Sequence, residues 1–325
     1  MIPQKRFQEQ NEARWRQTQQ LIERLDQSKG ALTREEARAL PPLFRKICQE
    51  MGIAEERLYN SSLINRLNTM VMALFHHLYR QRRSIRPLRF MTHTFPGAFK
   101  HNLGLFWISV ALFWVPFLLL AFSGHWGLDW IQALLGAEGM NSMDAMYGKD
   151  GDALEHGRET YGSDFMMFCY YVWNNVSIDF RCYAGGIFFG VGTLFFTLFN
   201  GLYLGAAAGY VEAVGDPTKF WGFVCGHSAF ELVGLHLSSV AGLRLGWGLI
   251  APGNQSRLTS LLRSARHSLV ILGGAAVLTF LAAIIEGFWS AHPHPLALKY
   301  TVGAVLWIVT LGYLFSGRKE WYERP

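Results

Sequence analysis

Residues 102–122 read NLGLFWISVALFWVPFLLLAF, an apolar run without a single charged residue. About 20 such residues in an α-helix cross the roughly 30 Å hydrocarbon core of a bilayer, so the run predicts a transmembrane helix. Pro116 lies within it, and membrane helices tolerate proline because neighbouring groups satisfy the freed backbone carbonyl. The run therefore places the chain among α-helical membrane proteins.

Composition divides the chain into two regions. Only 17% of the residues are charged, whereas soluble domains carry about 25%. Residues 1–100 are rich in Gln, Glu and Arg and contain no apolar core of a signal peptide, while most long apolar runs follow His101. We predict a helical cytoplasmic region over residues 1–100. The transmembrane domain is predicted over residues 101–325, with an exterior loop at residues 124–182.

The distribution of charge predicts the orientation. Residues 66–101 hold seven Lys or Arg and no Asp or Glu, whereas residues 124–182 hold nine acidic and three basic residues. Basic segments beside membrane spans stay in the cytoplasm. Arg318-Lys319 follow the last apolar run. Both termini are therefore predicted on the cytoplasmic side of a bacterial inner membrane.

Four further apolar stretches follow the exterior loop: Tyr183–Tyr210, Phe220–Ala251, His267–Glu286 and Leu296–Ser316. An odd number of crossings must join residue 182 outside to the basic loop 257–266 inside. Three short spans satisfy this count. So does one span followed by a re-entrant hairpin over Phe220–Ala251 that turns near His236–Ser239, and we favour this solution because buried turns are allowed at membrane depth.

The predicted fold is therefore an all-α polytopic membrane helix bundle of four spans plus a re-entrant helical hairpin, with a helical cytoplasmic N-terminal region. Small residues recur every fourth position within the apolar stretches, at Gly186, Gly190, Gly201, Gly205, Gly209, Gly242 and Gly246. Such ridges allow helix backbones to approach closely. They predict either packing of the glycine-rich span against the hairpin or a subunit interface in a homo-oligomer.

Charged residues inside a membrane are costly and are functional candidates by default. His227 and Glu231 are four positions apart and so share one helical face. A hairpin turning near His236–Ser239 would bring Arg244 opposite them, with Asn200 from the preceding span nearby. Glu286, in contrast, is expected at the end of a span, where it reaches water.

Three interpretations compete for the cluster of His227, Glu231, Arg244 and Asn200: a polar clasp that fixes the hairpin, an ion or proton relay, and a metal-dependent intramembrane hydrolase. The hydrolase lacks support because the chain has no HExxH motif, and His236 lies on the opposite helical face from His227. We therefore predict no catalytic residue, no metal site and no cofactor. The net charge of +6 comes with Arg clusters beside apolar spans, so no nucleic-acid partner is predicted.

Several short segments from about Phe165 onward carry a family resemblance: Asn174-Asn175-Val176, Ala184-Gly185-Gly186, Asn200-Gly201-Leu202-Tyr203-Leu204-Gly205, Gly226-His227, Phe230-Glu231-Leu232, Ala241-Gly242-Leu243-Arg244-Leu245-Gly246 and Ala251-Pro252-Gly253. In their order and spacing they resemble the stage II sporulation protein M family of integral membrane proteins. The resemblance implies a membrane scaffold that localises peptidoglycan-degrading partners.

The long basic N-terminal region departs from the protein that gave the family its name. Genes of longer relatives often lie near those of MoxR-type ATPases and von Willebrand A-domain-like proteins, which implies a membrane complex.

Two functions are expected from these observations. The first is a non-enzymatic membrane scaffold or adaptor, linked to cell-envelope remodelling, whose partners are membrane lipids and other envelope proteins. The alternative is a channel or transporter for ions or small solutes that uses the His227, Glu231 and Arg244 cluster. The first rests on the family resemblance and the extramembrane segments, and the second on charge within the spans.

Overall fold

The computed structural model describes residues 3–27, 34–79, 87–124 and 127–318, and these residues are helical with no strand among them. The chain forms two compact units, Met1–Ile85 and Arg86–Pro325. Some of the basic residues that predict the orientation lie outside the described residues, namely Lys319 after the last span and Arg80, Arg82, Arg83 and Arg86 of the basic segment 66–101. The predicted all-α fold is confirmed.

The N-terminal unit consists of three helices, α1 (Gln4–Gln27), α2 (Arg34–Glu56) and α3 (Ser61–Tyr79). Apolar side chains that recur at helical spacing point into one core. Its fully buried members include Trp15, Leu25, Leu40, Ile47, Leu67 and Leu74. This unit therefore has a hydrophobic core of its own.

One buried carboxylate joins α1 to α2 in this unit. The side chain of Glu50 is 2% exposed, pairs with Arg14 and accepts a hydrogen bond from Trp15 Nε1 at 2.7 Å. Near the surface, the Arg66 guanidinium donates two hydrogen bonds to Glu12 and so holds the pKa of that carboxyl below its ordinary value. A buried charge is tolerable at Glu50 because both of its oxygens have partners.

The second unit begins with a short entry segment made of α4 (Pro87–Arg89), a π-helical turn (Phe90–Thr94) and α5 (Phe95–His101). The remaining helices are α6 (Leu103–Ser123), α7 (Asp129–Tyr147), α8 (Ala153–Tyr161), α9 (Asp164–Ala184), α10 (Val191–Val214), α11 (Pro217–Val224), α12 (Ser228–Ile250), α13 (Arg257–Ile285) and α14 (Leu296–Ser316). A 3₁₀ turn at Gly185–Ile187 precedes α10, and a π-helical turn at Glu286–Ser290 extends α13. The entry segment belongs to this unit, which therefore begins earlier than the predicted boundary at residue 101.

Within the described residues, five helices are long and apolar enough to cross a membrane, namely α6, α10, α12, α13 with its π-helical turn, and α14. The prediction of a re-entrant hairpin is wrong, because α12 is continuous from Ser228 to Ile250 and contains no turn at His236–Ser239. Some of its polar side chains have partners on other helices, as when Ser239 Oγ contacts Thr197 Oγ1 at 2.8 Å and His236 Nδ1 contacts Ser109 Oγ at 3.1 Å. A polar helix can therefore cross in one piece when other helices cover it.

Helix α9 corrects the predicted exterior loop. It runs antiparallel to α13, with Phe168 beside Gly287 and Asp179 bonded to Thr279. The backbone carbonyl of Cys182 lies against Gly242 in the second half of α12. Residues 164–182 are thus part of the bundle, and their placement in an exterior loop is wrong. Asp179 lowers the hydropathy of α9, but this charge faces other helices instead of lipid.

The bundle has two ends, named here after their loops, the 251–256 end and the 291–295 end. Helices α6, α10 and α13 run toward the 291–295 end, and α9, α12 and α14 run back. Gly317, after α14, lies against Pro96, which precedes α6. The described chain therefore enters and leaves the bundle at the same end, after an even number of passes.

The glycine ridges pack helices within this chain. Gly201 and Gly205 of α10 lie against the α6 backbone at Phe113 and Phe117, and Gly209 lies against Leu120. A second set joins the 3₁₀ turn to α12, with Gly186 on Gly242 and Gly190 on Gly246. A β-carbon at Gly186 would stand 2.1 Å from the Gly242 carbonyl oxygen, so only glycine permits this approach. Of the two predicted roles, helix packing inside the chain is the one that these contacts support.

Candidate functional site

Five helices of the bundle line a cavity of about 170 Å³ that contains several polar side chains. Its polar lining comprises Asn174, Asn175 and Asp179 from α9, Asn200 and Tyr203 from α10, Glu231 from α12, and Thr279 from α13. Apolar side chains, among them Phe113 of α6, complete the wall. The volume suffices for a cation with several water molecules.

Three ligand-type side chains meet beside this cavity. His227 begins α12, and its Nε2 atom lies 3.5 Å from Oε2 of Glu231, one helical turn later. Glu286 approaches from the π-helical turn that follows α13. One ligand atom from each of the three residues lies within 4.8 Å of the other two. The continuous helix α12 and the end of α13 therefore bring an imidazole and two carboxylates to one point.

Hydrogen bonds at the back of these side chains fix their orientation. His227 Nδ1 and Ser290 Oγ are 2.8 Å apart, and Asn175 Nδ2 donates to Glu286 Oε2 at 3.2 Å. The Lys299 ammonium group donates to the backbone carbonyl of Ser290 at 2.8 Å. We name His227, Glu231, Glu286 and Asp179 the acidic site.

Asp179, the fourth member of the acidic site, is also buried. Its side chain is 4% exposed and accepts a hydrogen bond from Thr279 Oγ1 at 2.5 Å. It lines the same cavity as Glu231 and Asn200. A polar path therefore leads from Glu231, near the start of α12, toward the middle of the bundle.

The acidic site concentrates negative charge. Asp179, Glu231 and Glu286 come from three separate helical segments, and among the residues that the structure describes no Lys or Arg forms an ion pair with any of them. Isolated carboxylates inside a membrane protein are very costly. These groups must therefore hold protons or bound cations.

The structure brings together three of the four predicted site residues. His227 and Glu231 are neighbours, and Asn200 lines the cavity while its amide donates to the Phe196 carbonyl at 2.7 Å. The placement of Arg244 opposite Glu231 is wrong. The two residues lie on one continuous helix, thirteen positions or about 20 Å apart, and Arg244 is instead within electrostatic range of His267.

Sequence reasoning missed Asp179, Glu286 and Asn175. The expectation that Glu286 reaches water is wrong, because its side chain is 7% exposed. The sequence does contain a signal for two of them. Asn175 and Asp179 are four positions apart in α9, which puts them on one helical face, as the same spacing does for His227 and Glu231.

Comparison with known proteins agrees with this architecture. The family model for stage II sporulation protein M matches residues 103–291, more than half of the chain. The chain belongs to the stage II sporulation protein M family. The resemblance inferred from the sequence is thereby confirmed, and this is a multi-pass membrane protein. The matched region contains all four residues of the acidic site.

Two other comparisons cover smaller parts of the chain. A model described as a domain of unknown function (DUF8413) matches residues 5–80, which lie in the N-terminal unit. An uncharacterized protein of Methanocaldococcus jannaschii is 32% identical over 73 residues, which is 22% of this chain and 41% of that relative. The chain thus matches less than half the length of this curated relative. No solved structure matches.

Proposed function

We propose that this stage II sporulation protein M family member is a membrane transport protein that passes cations through its acidic site. One observation carries the proposal. Asp179, Glu231 and Glu286 converge inside the bundle, and no Lys or Arg side chain in the described part of the chain forms an ion pair with them. Ionisable groups at such depth are typical of cation and proton paths.

A polar clasp explains this arrangement less well. A clasp neutralises opposite charges, and the predicted partner for Glu231 was Arg244, which lies about 20 Å away along α12. When ionised, Asp179 and Glu231 in the cavity wall and Glu286 beside Glu231 repel one another unless a proton or cation intervenes. A site that needs cations in order to be neutral is suited to binding them.

Charge distribution suggests from which side the site is reached. Arg257, Arg263 and Arg266 lie at the 251–256 end, and basic segments favour the cytoplasm. We therefore place both termini in the cytoplasm of a bacterial inner membrane. His227 and Glu231, in the first turn of α12, then lie in the outer half, and cations reach them from outside.

Flux measured in proteoliposomes tests the transport proposal. Wild-type protein is expected to pass protons or at least one of Na⁺, K⁺, Ca²⁺ and Zn²⁺. Glu231→Gln removes a half-buried carboxylate that lines the cavity, and losing such a charged partner costs about 2 kcal/mol or more, roughly thirtyfold in affinity. Flux should fall by a similar factor at subsaturating cation.

Glu159→Gln is the matched control, because Glu159 is an exposed carboxylate on α8. It should leave flux unchanged. Folded wild-type protein that passes none of these cations would refute the proposal. Equal flux through wild type and Glu231→Gln would refute the role of the acidic site.

An assembly role is the second candidate, and the N-terminal unit supports it. This unit has its own core and matches a separate family model, and a path through the bundle does not require it. We propose that it recruits envelope or cytoplasmic partners, for which MoxR-type ATPases and von Willebrand A-domain-like proteins are candidates by family analogy. The scaffold or adaptor function would then reside in the unit Met1–Ile85.

A further inference from the structure

We propose that His227, Glu231 and Glu286 form a binding site for a divalent transition-metal ion such as Zn²⁺. This inference rests on the proposed function for the role of the site, but metal binding can be measured without transport. The sequence predicted no metal site, because the chain has no HExxH motif and His236 lies on the opposite helical face from His227. Glu286 was expected separately, at the end of a span where it reaches water. The structure instead buries Glu286 beside the other two residues.

The geometry fits an ion with small adjustments. Zinc ligands lie about 2 Å from the ion, so two of them stand at most roughly 4 Å apart. The three donor atoms lie within 4.8 Å of one another. If each glutamate side chain rotated so that its ligand oxygen moved by about an ångström or less, all three donor atoms could bind one ion.

The imidazole is held in the orientation that a metal ligand needs. His227 is 3% exposed, and its Nδ1 atom forms a 2.8 Å hydrogen bond with Ser290 Oγ. Its Nε2 atom points at Glu231 across 3.5 Å, too long for a good hydrogen bond. In the tautomer in which Nδ1 donates to Ser290 Oγ, the Nε2 lone pair faces the Glu231 oxygen, and a cation between these two atoms would relieve their repulsion. A hydrogen-bonded second ring nitrogen is the usual support of histidine ligands in metal sites.

Glu286 has corresponding support. Asn175 Nδ2 donates to its Oε2 atom at 3.2 Å, and Asn174 in turn donates to Asn175. The amide pair leaves the other oxygen of Glu286 available to an ion. Such second-layer contacts orient ligand carboxylates.

Charge and donor type select the class of ion. Two carboxylates with a neutral imidazole carry a charge of −2, so a divalent cation makes the buried site neutral. The imidazole favours Zn²⁺ and related transition metals, whereas Ca²⁺ and Mg²⁺ prefer sites built from oxygen alone. Three protein ligands leave a fourth position for water, and Glu231 faces the cavity that would supply it. An ion held with an open position can exchange, as transport requires.

Isothermal calorimetry tests this site. Purified full-length protein in detergent is titrated with Zn²⁺ while Mg²⁺ is present in excess. One Zn²⁺ is expected per chain. His227→Gln and Glu286→Gln should each weaken binding by about thirtyfold or more. Glu286→Gln removes a buried charge and can keep the contact with Asn175, so it should fold, and its melting temperature without metal checks this. His76→Gln, an exposed histidine on α3, is the control and should bind like wild type.

No saturable binding by the folded wild type would overturn the proposal. Equal losses in His227→Gln and His76→Gln, or Mg²⁺ competition at similar concentrations, would also overturn it. Zn²⁺ binding without any flux would support the metal site and refute transport. Proton or Na⁺ flux without Zn²⁺ binding would keep the transport proposal and overturn the metal site.

Discussion

Asp179→Asn is expected to stop cation flux while leaving the bundle folded. Asp179 is 4% exposed and lines the same cavity as Glu231, so the ion path that we propose runs past it. Asparagine retains a hydrogen bond with Thr279 but cannot carry the charge that attracts a cation or take up a proton. Removing a positioned proton-transfer group typically costs on the order of a hundredfold or more in rate. We expect flux in proteoliposomes to fall by at least that factor.

Asp150→Asn supplies the control for this prediction, because Asp150 is exposed in the turn between α7 and α8. It should leave both flux and the melting temperature unchanged. Folded Asp179→Asn protein with wild-type flux would place the path elsewhere. A variant that fails to fold would indicate that Asp179 acts as a structural clasp with Thr279.

Glu50→Ala is expected to destabilise the N-terminal unit selectively. The truncation leaves Trp15 Nε1 without its acceptor and removes the carboxylate that pairs with Arg14, which keeps only its contact with Asn11. Breaking a fully buried ion pair costs about 3–5 kcal/mol. Because the Arg14 side chain is 37% exposed, we expect a smaller loss, about 2–4 kcal/mol in the free energy of unfolding of this unit.

Hydrogen exchange of peptides from α1, α2 and α3 measures this loss in the full-length protein. Exchange should accelerate by about thirtyfold or more, while peptides of the membrane bundle keep their rates. Glu55→Ala, at an exposed position of α2, is the control. If the N-terminal unit recruits partners, cross-linked proteins present with wild type and Glu55→Ala should disappear with Glu50→Ala. An unchanged set of partners would contradict the assembly role.

The strongest local signals in the sequence predicted the outline of the fold. The uncharged run at residues 102–122 became α6, because hydropathy and length alone decide whether such a segment can cross. The paired spacing of His227 and Glu231 predicted two neighbouring site residues, because both lie on one face of α12. Local periodicity was sufficient for each of these features.

Features that depend on contacts between distant segments were not predictable in this way. Helix α9 contains Asp179 and Arg181 and was assigned to a loop, because hydropathy counts a charge without regard to what covers it. Glu286 was predicted at the end of a span, but the π-helical turn Glu286–Ser290 continues α13, and Glu286 is buried in the bundle. Arg244 was misplaced because the predicted hairpin turned near His236–Ser239, whereas α12 is continuous through these residues. The glycine ridges predicted close packing, although their spacing did not reveal that α6 is the partner of Gly201 and Gly205.

Carbodiimide labelling tests most directly whether ions pass through the acidic site. The wild-type protein is labelled in liposomes, and flux is measured on the same sample. Peptide mass spectrometry then identifies the labelled residues. Carbodiimides modify protonated carboxyl groups in apolar surroundings and leave exposed carboxylates such as Glu159 largely unmodified. We predict that label accumulates on Asp179, Glu231 or Glu286 and that flux falls in proportion to it. Flux that continues after these three carboxyl groups are fully labelled would contradict a path through the acidic site.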